Sequence, residues 1–116
     1  MLLGLRSAIY AAPDLAAAKA WWTEVLGAEP YFDQPFYVGF DVGGFELGLD
    51  PGGNPATSPM TYWGVPDAAA AVAALIAEGA RRHTDVQEVG EGIKLGSVTD
   101  PSGSVVGVIE NPHVGA

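Results

Sequence analysis

Two stretches of the chain repeat one order of apolar and polar positions. Leu5 to Ala11 is short and mostly apolar, the pattern of a strand. Pro13-Asp14 breaks that run and opens a helix, with Asp14 as the N-cap. From Leu15 to Leu26 the chain is rich in alanine, and Leu15, Ala18, Trp22 and Val25/Leu26 fall at helical spacing. Gly27 stands where a helix C-cap glycine belongs. The same order returns as a strand over Thr61 to Val65, Pro66-Asp67, an alanine-rich helix over Ala68 to Glu78, and Gly79-Ala80. The two Pro-Asp pairs are 53 residues apart and the two glycines 52, so the chain carries an internal repeat.

Strand-like material follows each helix. In the first half it is Phe36 to Asp41 and Phe45 to Asp50, joined by the turn Val42-Gly43-Gly44, with Tyr31-Phe32 as a candidate start for an earlier strand. In the second half, Arg82 to Val89 and Gly92 to Thr99 flank Gly90-Glu91, and the turn Asp100-Pro101-Ser102-Gly103 leads to a last strand over Ser104 to Glu110. Residues 51–59, rich in Pro and Gly, read as a linker. The expectation is a single domain over 1–116 of class α+β, made of two βαβββ modules, 5–50 and 60–112.

Composition narrows the function. At 116 residues the chain buries roughly two-thirds of its unfolded surface and needs no staple. It has no cysteine, which excludes disulfides, thiolate metal sites and a cysteine nucleophile. Fourteen acidic residues against five basic ones give a net charge of −9, which repels nucleic acid and anionic membranes; such a surface attracts cationic ligands but reads first as plain solubility. No run approaches the ~18 apolar residues of a membrane span, and Met1 to Arg6 lacks the pattern of a signal peptide, so a cytoplasmic protein is expected. Asp100-Pro101-Ser102-Gly103 lacks the Gly-x-x-x-x-Gly-Lys pattern of a phosphate loop and reads as a turn.

Read together, Pro13-Asp14-Leu15, Trp21-Trp22-Thr23-Glu24-Val25-Leu26-Gly27, Phe45-Glu46-Leu47-Gly48-Leu49, Val65-Pro66-Asp67, Glu78-Gly79-Ala80 and Asp100-Pro101-Ser102-Gly103 with Gly107 resemble the vicinal oxygen chelate superfamily. That group holds glyoxalase I, bleomycin-resistance proteins and extradiol dioxygenases, and the resemblance runs from Leu5 to Pro112. It implies curved mixed sheets that cup a cavity, with helices outside, and a homodimer. Metal-dependent members place four ligands in the cup, typically His or Gln, Glu, His and Glu. Carried onto this chain, these positions fall on Ser7, Glu46, Met60 and Gly107. Only Glu46 keeps a usual donor, so no metal and no cofactor are expected.

Strand alternation extends the cup. With Ser7 and Met60 facing inward, Ile9 and Tyr62 follow, and Gly107 brings Val105 and Ile109, while Tyr10 and Trp63 turn to the helix side. Glu46 has two readings: a general base or cation anchor, for which a lone carboxylate in an apolar cup is expected to have a raised pKa, or a vestige hydrogen-bonded to solvent or to a neighbouring strand. His83 and His113 match no ligand pattern and read as solvated, and the small basic patch Arg81-Arg82-His83 reads first as a solvated strand entrance, with carboxylate binding or pairing with Glu78 as the other readings. Such a cup suits a small apolar, aromatic or cationic molecule, with Glu46 and Tyr62 as anchors. The residues leave catalysis open. The alternative is a glyoxalase I-like lyase or an isomerase, metal-dependent or using Glu46 for proton transfer. A third reading is a cup packed shut in a protein whose role is pairing with another chain.

Overall fold

The structure, a computed structural model, describes residues 1, 3, 6–57 and 60–113. The expected strand start at Leu5 and the last two linker positions lie outside these residues. The first module is β1 (Ser7–Ala11), α1 (Leu15–Leu26), β2 (Phe32–Gln34), β3 (Tyr37–Val42) and β4 (Phe45–Asp50). The second is β5 (Thr61–Gly64), α2 (Ala68–Ala77), β6 (Arg81–Gly90), β7 (Ile93–Thr99) and β8 (Val105–Glu110). The linker is not featureless: Pro55–Thr57 forms one short 3-10 turn.

Each helix starts where the sequence marks it. The Asp14 carboxylate accepts from the Ala17 amide at 3.1 Å, and the Asp67 carboxylate from the Ala70 amide at 3.0 Å. Gly27 ends α1 with φ 67°, a left-handed turn that side chains resist.

The two sheets have the same topology, β1-β4-β3-β2 and β5-β8-β7-β6. In each, the first strand runs parallel to the last, and the remaining neighbours are antiparallel. The helix after the first strand returns the chain to the same sheet, as a parallel pairing requires. Each helix covers one face of its own sheet, α1 over β3 and β4, and α2 over β6, β7 and β8. Tyr10, Val38, Phe40, Leu47, Leu49, Val72, Val98 and Val108 are fully buried in one continuous core. Tyr10 thus lies on the helix side of its sheet, as the alternation pattern predicts.

Both β1 and β5 are edge strands, and the modules meet along them. The Tyr10 hydroxyl hydrogen-bonds the Thr61 hydroxyl and accepts from the Trp63 indole N–H at 3.2 Å. Tyr10 and Trp63 are repeat mates, 53 residues apart. Trp22 of α1 stacks on Tyr10 at 5.3 Å between centroids and reaches Trp63 at 5.5 Å, so one aromatic cluster joins the modules.

Candidate functional site: the seam between the modules

A cavity of about 710 Å³ opens along the seam. Ser7 and Ala8 of β1, Val42 of β3, and Phe45, Glu46 and Leu47 of β4 form one wall. Residues 60–64 form the other. Of the eight positions expected to face the cup, Ser7, Glu46, Met60 and Tyr62 stand together in it. Ile9, Val105, Gly107 and Ile109 do not line this cavity. The cavity runs along the start of β1, the β3–β4 turn with the start of β4, and β5, rather than over the face of one sheet. Consecutive residues of β1, β4 and β5 border the space, so side chains from both faces of these strands line it. Ala8, Phe45, Leu47, Thr61, Trp63 and Gly64 enter for that reason.

Glu46 is the one carboxylate of this wall. Tyr31 donates to its Oε2, and Tyr37 donates to Oε1 at 2.7 Å. These two hydrogen bonds hold the Glu46 carboxyl below its ordinary pKa, Tyr31 having the larger effect. The expectation of a raised value is therefore corrected: the carboxylate is half-buried, and the phenols stabilise its charge more than burial penalises it. The tyrosines respond in the opposite sense. Burial, then the bond to Glu46, pushes Tyr37 up, and the bond to Glu46 pushes Tyr31 up. The site holds one negative charge and two phenolic protons at neutral pH.

Two glycines make room for this arrangement. A Cβ on Gly48 would lie 1.9 Å from the Tyr37 hydroxyl oxygen, and a Cβ on Gly107 would lie 2.4 Å from the Thr61 carbonyl oxygen and 2.8 Å from Cδ1 of Tyr62. The strand register makes these glycines counterparts. Ile9 pairs with Gly48 in the first module, and its repeat mate Tyr62 pairs with Gly107 in the second. Glu46 pairs with Ser7. By the same register the counterpart of Glu46 is Val105, not Gly107. The resemblance had placed Glu46 and Gly107 at matching points, two residues out of step along the strands.

This bears on a metal. With either alignment, the donors at the four positions are a serine hydroxyl, a thioether and at most one carboxylate, which two tyrosines already engage. The Tyr62 ring fills the space over Gly107. Among the described residues no three His, Asp or Glu side chains gather as a metal site would need. These residues do not fit a catalytic divalent ion.

Neither histidine reaches the cavity. His83 Nδ1 is 3.0 Å from the Ser97 hydroxyl, and His113 Nε2 is 2.8 Å from the Glu91 carbonyl. Arg82 meets Asp85 at 3.7 Å, not Glu78.

Two four-stranded sheets built from βαβββ modules, with a cavity at their shared seam, define the glyoxalase and bleomycin-resistance fold. The chain matches the glyoxalase-like domain family over residues 7–109 and belongs to that family, in keeping with the vicinal oxygen chelate superfamily. Three solved structures show the same fold. A glyoxalase-related enzyme from Fulvimarina pelagi is 21% identical with a TM-score of 0.77, over 96% of this chain and 90% of that one. A lactoylglutathione lyase from Agrobacterium tumefaciens is 21% identical with a TM-score of 0.76, over 99% and 98%. A bleomycin resistance determinant encoded on the transposon Tn5 is 18% identical with a TM-score of 0.70, over 94% and 98%. No curated protein sequence matches the chain. No helix among the described residues is long and apolar enough to cross a membrane.

Proposed function

We propose that the protein binds a small organic molecule with an aromatic or apolar body and a cationic or hydrogen-bond-donating head in the seam cavity, without a metal. The observation that carries this is Glu46, kept ionised by Tyr31 and Tyr37 in an otherwise mostly apolar wall. The cavity volume lies in the range of small-molecule sites. Met60 and Tyr62 supply a polarisable and an aromatic surface beside the carboxylate.

The alternative, an enzyme of the lyase or isomerase kind, draws less support. A carboxylate with a lowered pKa is a weak general base at neutral pH, and the donor set does not suit a Lewis-acid ion. As further proposals, the protein acts as one domain, in the cytoplasm, and as a homodimer, as pairing of such modules between chains would allow.

Titration with benzyltrimethylammonium, followed by calorimetry, tests the binding reading. Saturable binding is expected, stronger than for benzyl alcohol, and Glu46→Gln weakens it about tenfold or more. The pH dependence has a definite sign. Because the Glu46 pKa is lowered, affinity persists as pH falls through the ordinary carboxylate range and is lost only below it. Equal affinity for the alcohol, or a Glu46→Gln variant that binds as well as the parent, contradicts the reading.

A further inference from the structure

A second recess lies on the opposite, helix side of the seam. It measures about 410 Å³. Trp63, half-buried, forms its aromatic wall above the buried Trp22, and Val106 and Val108 of β8 belong to its apolar floor. The two helices flank it with different side chains. Asp14 and Asp67 cap the helices in matching places, so the 53-residue repeat pairs Trp21 with Ala74 and Trp22 with Leu75. Ala74 lines the recess where its repeat mate on α1, Trp21, is an indole, and Ala71 lines it one turn earlier on α2.

Glu24 of α1 and Glu78 at the end of α2 also line the recess. No Lys, Arg or His lines it, and among the described residues neither carboxylate enters an ion pair. Two independent features therefore select the same ligand chemistry. The Trp63 indole attracts cations more strongly than other aromatic rings do, and the two carboxylates carry uncompensated negative charge in a chain of net charge −9.

We infer that this recess is a second small-molecule site, selective for a primary ammonium carried on a short aromatic or apolar body. The body lies against Trp63 and against Ala71 and Ala74 of α2, and the ammonium sits beside the indole, facing Glu24 and Glu78. The site is separate from the seam cavity, although Trp63 and Gly64 belong to both walls.

The test is a titration with phenethylammonium, followed by the indole N–H resonance of Trp22, a residue of this recess and not of the seam cavity. A saturable shift is expected. The neutral 2-phenylethanol should bind about tenfold more weakly, and the anionic 3-phenylpropionate should give no saturation. The Glu24→Gln/Glu78→Gln double variant changes two exposed side chains, so it keeps the fold and should bind about tenfold more weakly. Ala71→Leu/Ala74→Leu fills the recess with good helix formers and should abolish the shift while the melting temperature stays near that of the parent. Glu46→Gln should leave the shift unchanged. The inference is overturned by an absent or unsaturable shift, by equal affinity for the alcohol, or by an unaffected Gln double variant. Loss in Glu46→Gln alone would move the ligand to the seam cavity. A dimer, seen by light scattering, that the double Leu variant dissociates would assign the recess to a second copy. Either of these last results also overturns the inference, while the seam reading keeps its own test.

Discussion

Trp22→Ala lowers the stability of the protein by about 3–5 kcal/mol. Trp22 is 2% exposed and touches three other aromatic rings, Tyr10, Trp21 at 4.9 Å, and Trp63. Two of these contacts lie within the first module, and the third crosses to the second. Removing the indole leaves a void at the only place where α1 meets an aromatic residue of β5 among the described contacts. The loss is large against the roughly 5–15 kcal/mol that holds a domain of this size together. Denaturant unfolding monitored by circular dichroism gives the value from the midpoint and slope. A shift worth less than about 1 kcal/mol would show that the seam is not held by this cluster.

Gly107→Ala has the second large effect, and its cause is backbone rather than cavity. The new methyl would sit 2.4 Å from the Thr61 carbonyl oxygen, within the β5–β8 pairing, where no side chain can swing aside to make room. Overpacking of this kind costs about 1–3 kcal/mol or more. Gly48→Ala, at the matching point of the first module, clashes instead with the tip of Tyr37. It should cost less stability and disturb the bond from Tyr37 to Glu46. Gly64→Ala, with nothing within 4 Å, serves as the near-neutral control. Equal midpoints for Gly107→Ala and Gly64→Ala would contradict the close packing described for β8.

Much of the fold was legible because its signals are local. The Pro-Asp pairs are N-caps, Gly27 is a left-handed C-cap, and Val42-Gly43-Gly44 closes a hairpin with Val42 opposite Phe45. The 53-residue repeat then carries the reading of one module onto the other. The site was legible only in part. Ser7, Glu46, Met60 and Tyr62 do meet, but alternation within a strand cannot say that the cavity borders strand ends, where both faces contribute.

The partners of Glu46 show what further signal was present. Counting back along the hairpin from the pair Val42–Phe45 places Asp41 opposite Glu46 and Gly39 opposite Gly48, so Tyr37 falls on the face of Glu46. Tyr37 was thus within reach of register arithmetic. Tyr31 was not, because it precedes β2 and is tied by a backbone bond to the Gly39 carbonyl at 3.0 Å. Without these two phenols, burial alone set the expected direction of the Glu46 pKa, and the direction came out reversed. In β6, register shifts between Arg82 and Thr84 and again toward Gln87 erase the alternation on which such readings depend.

The proposed site is a cup that works through an ionised, tyrosine-held carboxylate and no metal. Its most direct test is the melting temperature of the untagged, metal-stripped protein with Ni²⁺, Mn²⁺, Zn²⁺ and Fe²⁺ added in turn. The account predicts no specific rise with any of them, in the parent or in Glu46→Ala. A metal bound at 100 times its dissociation constant would add about 2.7 kcal/mol of stability. A rise of that order that disappears in Glu46→Ala would contradict it.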